Sequence, residues 1–331
     1  MSLDRLTFAM NSAELELPSG RIGLFGALMA DGLGPFKPAD VEVIQTFYPE
    51  YQAWEKRVTT TTHLNGAYEA VVVTLPRAKD LAQQRIAQAE EAASGGLVIV
   101  TGAKTDGIDP IAKALKGKVT LEGNVSKAHG RCLWFKATGA LSDWLTLDMS
   151  ANAEGDMTAP GVFSAAKSDP ASRALAAALP NTIKGRVADL GAGWGWLSRE
   201  ILKRDKVREL HLVEADLTAL TCAKVNADDP RAQYHWDDAT RWQAPAPLDA
   251  VIMNPPFHTS RKGEPALGQA FITNAARLLS TSGQLWMVAN RHLPYETVLQ
   301  DRFREVSEIA GDTKFKILHA TRPVQRTRTG R

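Results

Sequence analysis

Only two cysteines, Cys132 and Cys222, occur in 331 residues, and they lie far apart. That excludes a disulfide framework and a cysteine-rich zinc site, both of which need clustered thiols. The seven histidines are scattered, and none sits in ligand spacing with Cys or Asp, so no structural metal is expected. No run of eighteen or more apolar residues exists, which leaves no segment to span a bilayer as a helix. The N-terminal stretch MSLDRLTFAM lacks the charged and apolar regions of a signal peptide, so a cytoplasmic protein is expected. A strong charge of one sign is missing too. The net charge is +2, and charge alone does not announce nucleic acid. What is present, 44% hydrophobic and 23% charged residues, is an ordinary globular composition with length for about two domains.

The chain repeats itself. GRIGLFGALMA (20–30) and GRVADLGAGWG (185–195) both read as a strand running into a glycine turn and a helix. YEAVVVTLPR (68–77) is matched by LDAVIMNPPF (248–257), and GGLVIVTGA (95–103) by SGQLWMVAN (282–290), in the same order. The expected fold is α/β, two tandem doubly wound Rossmann-like domains over residues 1–150 and 151–331. The link is expected near 148–160, DMSANAEGDMTAP, which is polar and without apolar periodicity.

The two copies differ where chemistry would sit. Asp189, Gly191, Gly193 and Gly195 of the second copy correspond to Leu24, Gly26, Leu28 and Ala30 of the first. Asn254-Pro255-Pro256-Phe257 corresponds to Thr74-Leu75-Pro76-Arg77. The first copy is therefore degenerate, with strands kept and polar positions lost, and activity is expected from the second alone.

In the second half, strands are expected at 186–190, 209–214, 233–236, 248–254 and 283–289, with a closing pair near 303–309 and 314–320. Helices fall between them, for example at 194–204 and 266–280. Such alternation implies a parallel sheet that binds ligands at the carboxyl ends of its strands. Asp189-Leu-Gly-Ala-Gly-Trp-Gly195 stands at such an end. The dinucleotide fingerprint G-x-G-x-x-G would require glycine at 196, where Trp196 stands. Asp-x-Gly-x-Gly-x-Gly is instead the pattern of S-adenosylmethionine binding. Glu214, closing the next strand, is placed to take ribose hydroxyls, and Asp238, after the third, to meet an adenine amino group. A single carboxylate of this kind is commonly a solvated surface group. Three at successive strand ends, in register with the glycines, are harder to explain that way.

Asn254-Pro255-Pro256-Phe257 ends the fourth strand abruptly, since proline cannot donate to a sheet ladder. Beside a methyl donor, this tetrapeptide suits methylation of a planar amino nitrogen, whose delocalised lone pair makes it a poor nucleophile. The Asn254 side-chain carbonyl and the Pro255 backbone carbonyl each accept one amino hydrogen and aim the lone pair, while Phe257 stacks on the base. Positioning and electrostatics suffice, without metal or general base. Guanine, adenine and cytosine amines fit equally, and a base within structured RNA must be flipped out to enter.

These stretches carry a resemblance. PGVFS (160–164), DLGAGWG (189–195), Glu214, NPPFH (254–258), VANRHLPY (288–295) and KFKILHA (314–320) make the second half similar to the "small" class I methyltransferase domain. The whole chain resembles bacterial ribosomal RNA guanine-N2 methyltransferases, the small-subunit (16S) enzymes first, which also carry a degenerate N-terminal copy. The resemblance implies S-adenosylmethionine as cofactor, held by Phe163, Asp189, Gly191, Gly193, Gly195, Glu214 and Asp238. It implies substrate-amine roles for Asn254, Pro255 and Phe257, ribosomal RNA as partner, and a monomer. His258 and the two-copy architecture point to guanine. One run departs: the family's Leu-Asp-x-Gly-Ser-x-Leu-Leu is replaced by SDPASRALAAAL (168–179). The large-subunit sister enzyme, a protein glutamine methyltransferase using a similar Asn-Pro-Pro-aromatic motif, and a non-catalytic RNA-binding assembly factor are the alternatives.

Overall fold

The computed structural model describes residues 2–12, 15–146, 148–256 and 265–324. The chain divides into two compact units, Met1–Asp148 and Met149–Arg331. In the first, α1 (Ser2–Asn11) precedes β1 (Ile22–Phe25), β2 (Val41–Ile44), α2 (Tyr48–Trp54), β3 (Thr59–Thr61), β4 (Ala70–Thr74), α3 (Lys79–Ala92), β5 (Leu97–Ala103), α4 (Ile108–Lys116), β6 (Leu121–Lys127) and β7 (Gly130–Lys136). The sheet runs β3-β2-β1-β4-β5-β7-β6, with β7 antiparallel to both neighbours. Strands buried on two faces need apolar side chains on both, which is what AVVV of β4 supplies. Val71 and Val73 pack with Ile86 and Ile111 of α3 and α4, while Val72 packs on the other face with Leu6 and Trp54 of α1 and α2.

The second unit starts with a two-stranded hairpin, β8 (Ser150–Ala151) and β9 (Met157–Thr158), followed by α5 (Pro170–Ala178). Then come β10 (Gly185–Leu190), α6 (Trp196–Leu202), β11 (Val207–Glu214), α7 (Leu217–Asn226), β12 (Ala232–Trp236), β13 (Leu248–Met253), α8 (Pro265–Leu278), β14 (Leu279–Asn290), α9 (Glu296–Arg302), β15 (Phe303–Gly311) and β16 (Phe315–Pro323). The order β12-β11-β10-β13-β14-β16-β15 repeats that of the first unit, strand for strand. The expected fold, two mixed and mainly parallel Rossmann-like sheets, is what the chain adopts. Val251 and Met253 of β13 face Phe271 and Ile272 of α8, and Ala250 and Ile252 face Leu175, Ile201 and Ala223 of α5, α6 and α7.

The stretch 148–160 is not a plain linker. Asn152 Oδ1 accepts from the Glu154 and Asp156 amides, and Gly155 turns at φ +84°, which closes the β8–β9 hairpin. Asn226 of α7 then clasps it, accepting from the Met157 amide at 2.8 Å and donating to the Met157 carbonyl at 2.7 Å. Among the described residues no helix is long and apolar enough to cross a membrane.

Candidate functional site

β10 is the central strand, flanked by β11 and β13, so the chain diverges at its carboxyl end and leaves a crevice there. The turn after it runs through Gly191, Gly193 and Gly195 at φ +76°, +55° and +88°, where side chains other than glycine are strained. Two of these glycines serve different ends. A Cβ on Gly195 would stand 2.9 Å from the Ala223 Cα, so this glycine lets α6 pack on α7. A Cβ on Gly193 would meet nothing within 4 Å, so the backbone there faces open space.

Asp189 is fully buried below the turn. One carboxylate oxygen accepts from Ser198 Oγ at 2.6 Å, and the other has no partner. Burial, with the nearby Glu214 charge adding to it and the Ser198 hydroxyl opposing, pushes its pKa up to about 7. Glu214 ends β11. Its Oε2 accepts from the Gly193 amide and its Oε1 from the Asp216 amide, both at 2.8 Å. Burial raises its pKa, against the pull of the Asp216, Gly193 and Ala215 N–H groups. Asp238 lies just past β12, which pairs with β11 through Glu214 and Trp236. Its Oδ1 accepts from the Thr240 amide at 2.8 Å and the Thr240 hydroxyl at 2.6 Å, which fixes the carboxylate at the strand end.

Asn254 follows β13. Its Nδ2 donates to Asp169 Oδ2 at 2.9 Å and to Ser172 Oγ at 2.8 Å, while its Oδ1 is buried and receives no hydrogen bond. A buried carbonyl without a donor is unfavourable unless something completes it. Pro255 is buried, whereas Phe257 and His258 lie outside the described residues. Phe163 is 69% exposed, unusual for so large an apolar side chain, and its backbone carbonyl is held by the Trp194 indole at 3.0 Å.

One cleft gathers Phe163, Asp169, Gly191, Gly193, Trp196 and Asn254 in its wall. Of the residues singled out from sequence, Phe163, Gly191, Gly193 and Asn254 meet there. Glu214 joins through the Gly193 amide and Asp189 lies beneath, while Asp238 belongs to the neighbouring strand end. The open backbone at Gly193, the unpartnered Asp189 oxygen and the carboxylate at the next strand end suit S-adenosylmethionine, a cation with hydrogen-bond donors on its ribose and amino groups. Sequence reasoning missed Asp169, Ser172 and Ser198. The signal was present for the first two: the departing run SDPASRAL still carries Asp and Ser where the family pattern has them.

The corresponding turn in the first unit is held by different groups. Phe25 pairs with Ile44 as Leu190 pairs with Val213, so Gln45 stands where Glu214 stands. Gln45 donates to the Ala27 carbonyl of the turn at 3.1 Å, and the Trp54 indole, fully buried, donates to the same oxygen at 3.0 Å. An amide replaces the carboxylate, and an indole N–H binds the turn's carbonyl.

A family model described as methyltransferase small domain matches residues 156–319. The ribosomal RNA small subunit methyltransferase C of Shewanella loihica is 30% identical over 264 residues, 76% of this chain and 76% of that protein. Its namesake in Idiomarina loihiensis is 27% identical over 267 residues, 77% and 79% of the two chains. Among solved structures, the T. thermophilus 16S rRNA N2 G1207 methyltransferase, in complex with AdoMet and guanosine, superposes with a TM-score of 0.79. The match covers 97% of this chain and 91% of that one at 24% identity, which is a likeness of fold.

Proposed function

This chain belongs to the ribosomal RNA small subunit methyltransferase C family, and from that premise we propose that it methylates the exocyclic N2 amine of a guanine in small-subunit ribosomal RNA. S-adenosylmethionine, when bound, would supply a methyl group on a cationic sulfur, which leaves as a neutral thioether when the methyl–sulfur bond breaks. Phe163, Gly191, Gly193 and Asp189 hold it at the turn, with Glu214 for the ribose hydroxyls and Asp238 for the adenine amine. Asn254 Oδ1 and the Pro255 carbonyl accept the two amino hydrogens of the target base, and Phe257 stacks on its ring. Held so, the nitrogen lone pair leaves conjugation and points towards the methyl; the product sheds one proton to solvent. Most of the rate gain then comes from orientation and fixed dipoles. The observation that carries this reading is the buried Asn254 oxygen without a donor, in the same cleft as the glycine turn.

The first unit, whose turn carries Gln45 in place of Glu214 and binds the Trp54 indole, takes no cofactor and serves RNA recognition or supports the second. The protein acts as a monomer in the cytoplasm. The choice of guanine follows the T. thermophilus protein of like fold, whose described target is a guanine N2. Mass spectrometry of ribosomal RNA nucleosides from cells with and without this protein tests it. N2-methylguanosine should disappear from small-subunit RNA; loss of N6-methyladenosine instead would keep the amide chemistry and refute the base, and no change in any nucleoside would refute the RNA.

Cofactor binding should depend on pH through Asp189. Between about 4 and about 7 the folded protein retains a proton that an exposed carboxyl would have released, its pKa lying near 7 rather than 3.8. Its contribution to stability therefore falls as pH rises through that window. A cationic ligand favours the ionised carboxylate, so affinity should rise with pH towards and through about 7 and then level off, with a proton released on binding below that point. Calorimetry in buffers of different ionisation enthalpy measures both. Affinity flat from pH 6 to 8, or a dependence that persists in Asp189→Asn, would contradict the assignment.

A further inference from the structure

We infer that Asp169, assisted by Ser172, is a positioning residue that sets Asn254 to accept rather than donate, and so makes the site one for N–H-bearing target atoms. The inference rests on the reading of Asn254 as the group that meets the target amine. The two partners of Asn254 Nδ2 are a carboxylate oxygen at 2.9 Å and a hydroxyl oxygen at 2.8 Å. A carboxylate accepts only, so turning the amide over would set its carbonyl against Asp169 Oδ2, two electron-rich oxygens in contact. The amide is thereby locked with Nδ2 towards α5 and Oδ1 away from it. Oδ1 is left buried and without a donor in the cleft wall, the one orientation that offers an acceptor to a ligand.

Asp169 is itself held still. Its Oδ2 also accepts from the Ser172 backbone amide at 2.9 Å, capping α5, which starts at Pro170. One rigid helix end thus fixes a side chain more than eighty positions later in the chain. The contact acts on charge as well as direction. An anion accepting from the amide N–H draws the nitrogen lone pair towards the carbonyl, and Oδ1 becomes a stronger acceptor. A target atom without hydrogen, such as a carbonyl oxygen or a bare ring nitrogen, meets only repulsion there.

The capping role offers a control. Asp, Asn and Ser cap helices about equally well, so Asp169→Ser and Asp169→Asn both keep α5 started. Serine is too short to reach Asn254; asparagine keeps a neutral acceptor without the charge. Single-turnover methylation of ribosomal RNA should fall in the order wild type, Asp169→Asn, Asp169→Ser, with the last slower by roughly tenfold to a hundredfold. Melting temperature, cofactor affinity and KM for RNA should stay put. In an Asn254→Ala background, Asp169→Ser should remove nothing further, because the group it acts through is gone. Wild-type rates in both Asp169 variants, while Asn254→Ala is slow, would overturn this inference alone. Wild-type rate in Asn254→Ala would overturn the function of the amide itself. A loss of cofactor affinity or thermal stability proportional to the loss of rate would make Asp169 a structural cap and nothing more.

Discussion

Asn254→Ala is expected to slow methyl transfer by roughly 10²-fold or more while leaving cofactor affinity within about twofold. A factor of 10² is about 2.7 kcal/mol of transition-state stabilisation, the usual worth of one preorganised group that acts on the reacting atom in a site shielded from water. The expectation is that large because Oδ1 is already buried without a donor and no reorganisation is needed to use it. The variant also strands Asp169 and Ser172, whose oxygens lose the Nδ2 donor. Some loss of stability follows, about 1–3 kcal/mol if water does not reach them and less if it does. Rate and stability are separable by single-turnover kinetics well below the melting temperature. A proportional loss of cofactor binding would place Asn254 among the supports of the turn and remove it from the chemistry.

The parts of this site that sequence reveals are those fixed by local pattern. Apolar runs mark the buried strands, so the places where they stop mark the carboxyl edge, and Asp189, Glu214, Asp238 and Asn254 are read directly from it. Boundaries slip where a neighbour decides. The strand expected at 283–289 is Leu279–Asn290, because Leu279 pairs with Leu248 across a register shift and draws the chain into the sheet early. The helix expected from 194 starts at Trp196, because Gly195 at φ +88° is the cap that precedes it.

What sequence leaves out is long-range. Asp169 and Ser172 lie 85 and 82 residues before the amide they hold, and no spacing rule links them. Their run reads as a departure from a family pattern, although its two polar positions are the ones that hold Asn254. Likewise the three glycines look alike in the motif, and only the fold separates Gly193, facing open space, from Gly195, pressed on Ala223. The decay of the first copy is legible in Leu28 and Ala30, but the indole that binds its turn is not. Trp54 comes from a helix whose counterpart α7 carries no such ring, and its indole reaches the turn only once the unit has folded.

Glu214→Ala is expected to weaken cofactor binding by about 1–3 kcal/mol, roughly five- to 150-fold, and calorimetry on the wild type should count one site per chain. The Glu214 oxygens accept from the Gly193 and Asp216 amides and keep lone pairs for ribose hydroxyls, so the carboxylate can serve turn and ligand together. Removing it takes away both the charge-assisted contacts and the anchor of the Gly193 amide, and the second loss loosens the turn the ligand lies on. Glu214 is half-buried, so the contact is stronger than one at a fully exposed surface, where water competes more freely for the oxygens. The first unit provides the control. Leu28, its counterpart of Gly193, is 45% exposed beside a turn whose Ala27 carbonyl is already taken by Gln45 and Trp54. Leu28→Ala should therefore leave affinity and stoichiometry unchanged. Two sites per chain, or a first-unit substitution that weakens binding as Glu214→Ala does, would show that the first turn still takes ligand and that the first copy has kept its binding despite the loss of the glycines and the carboxylate.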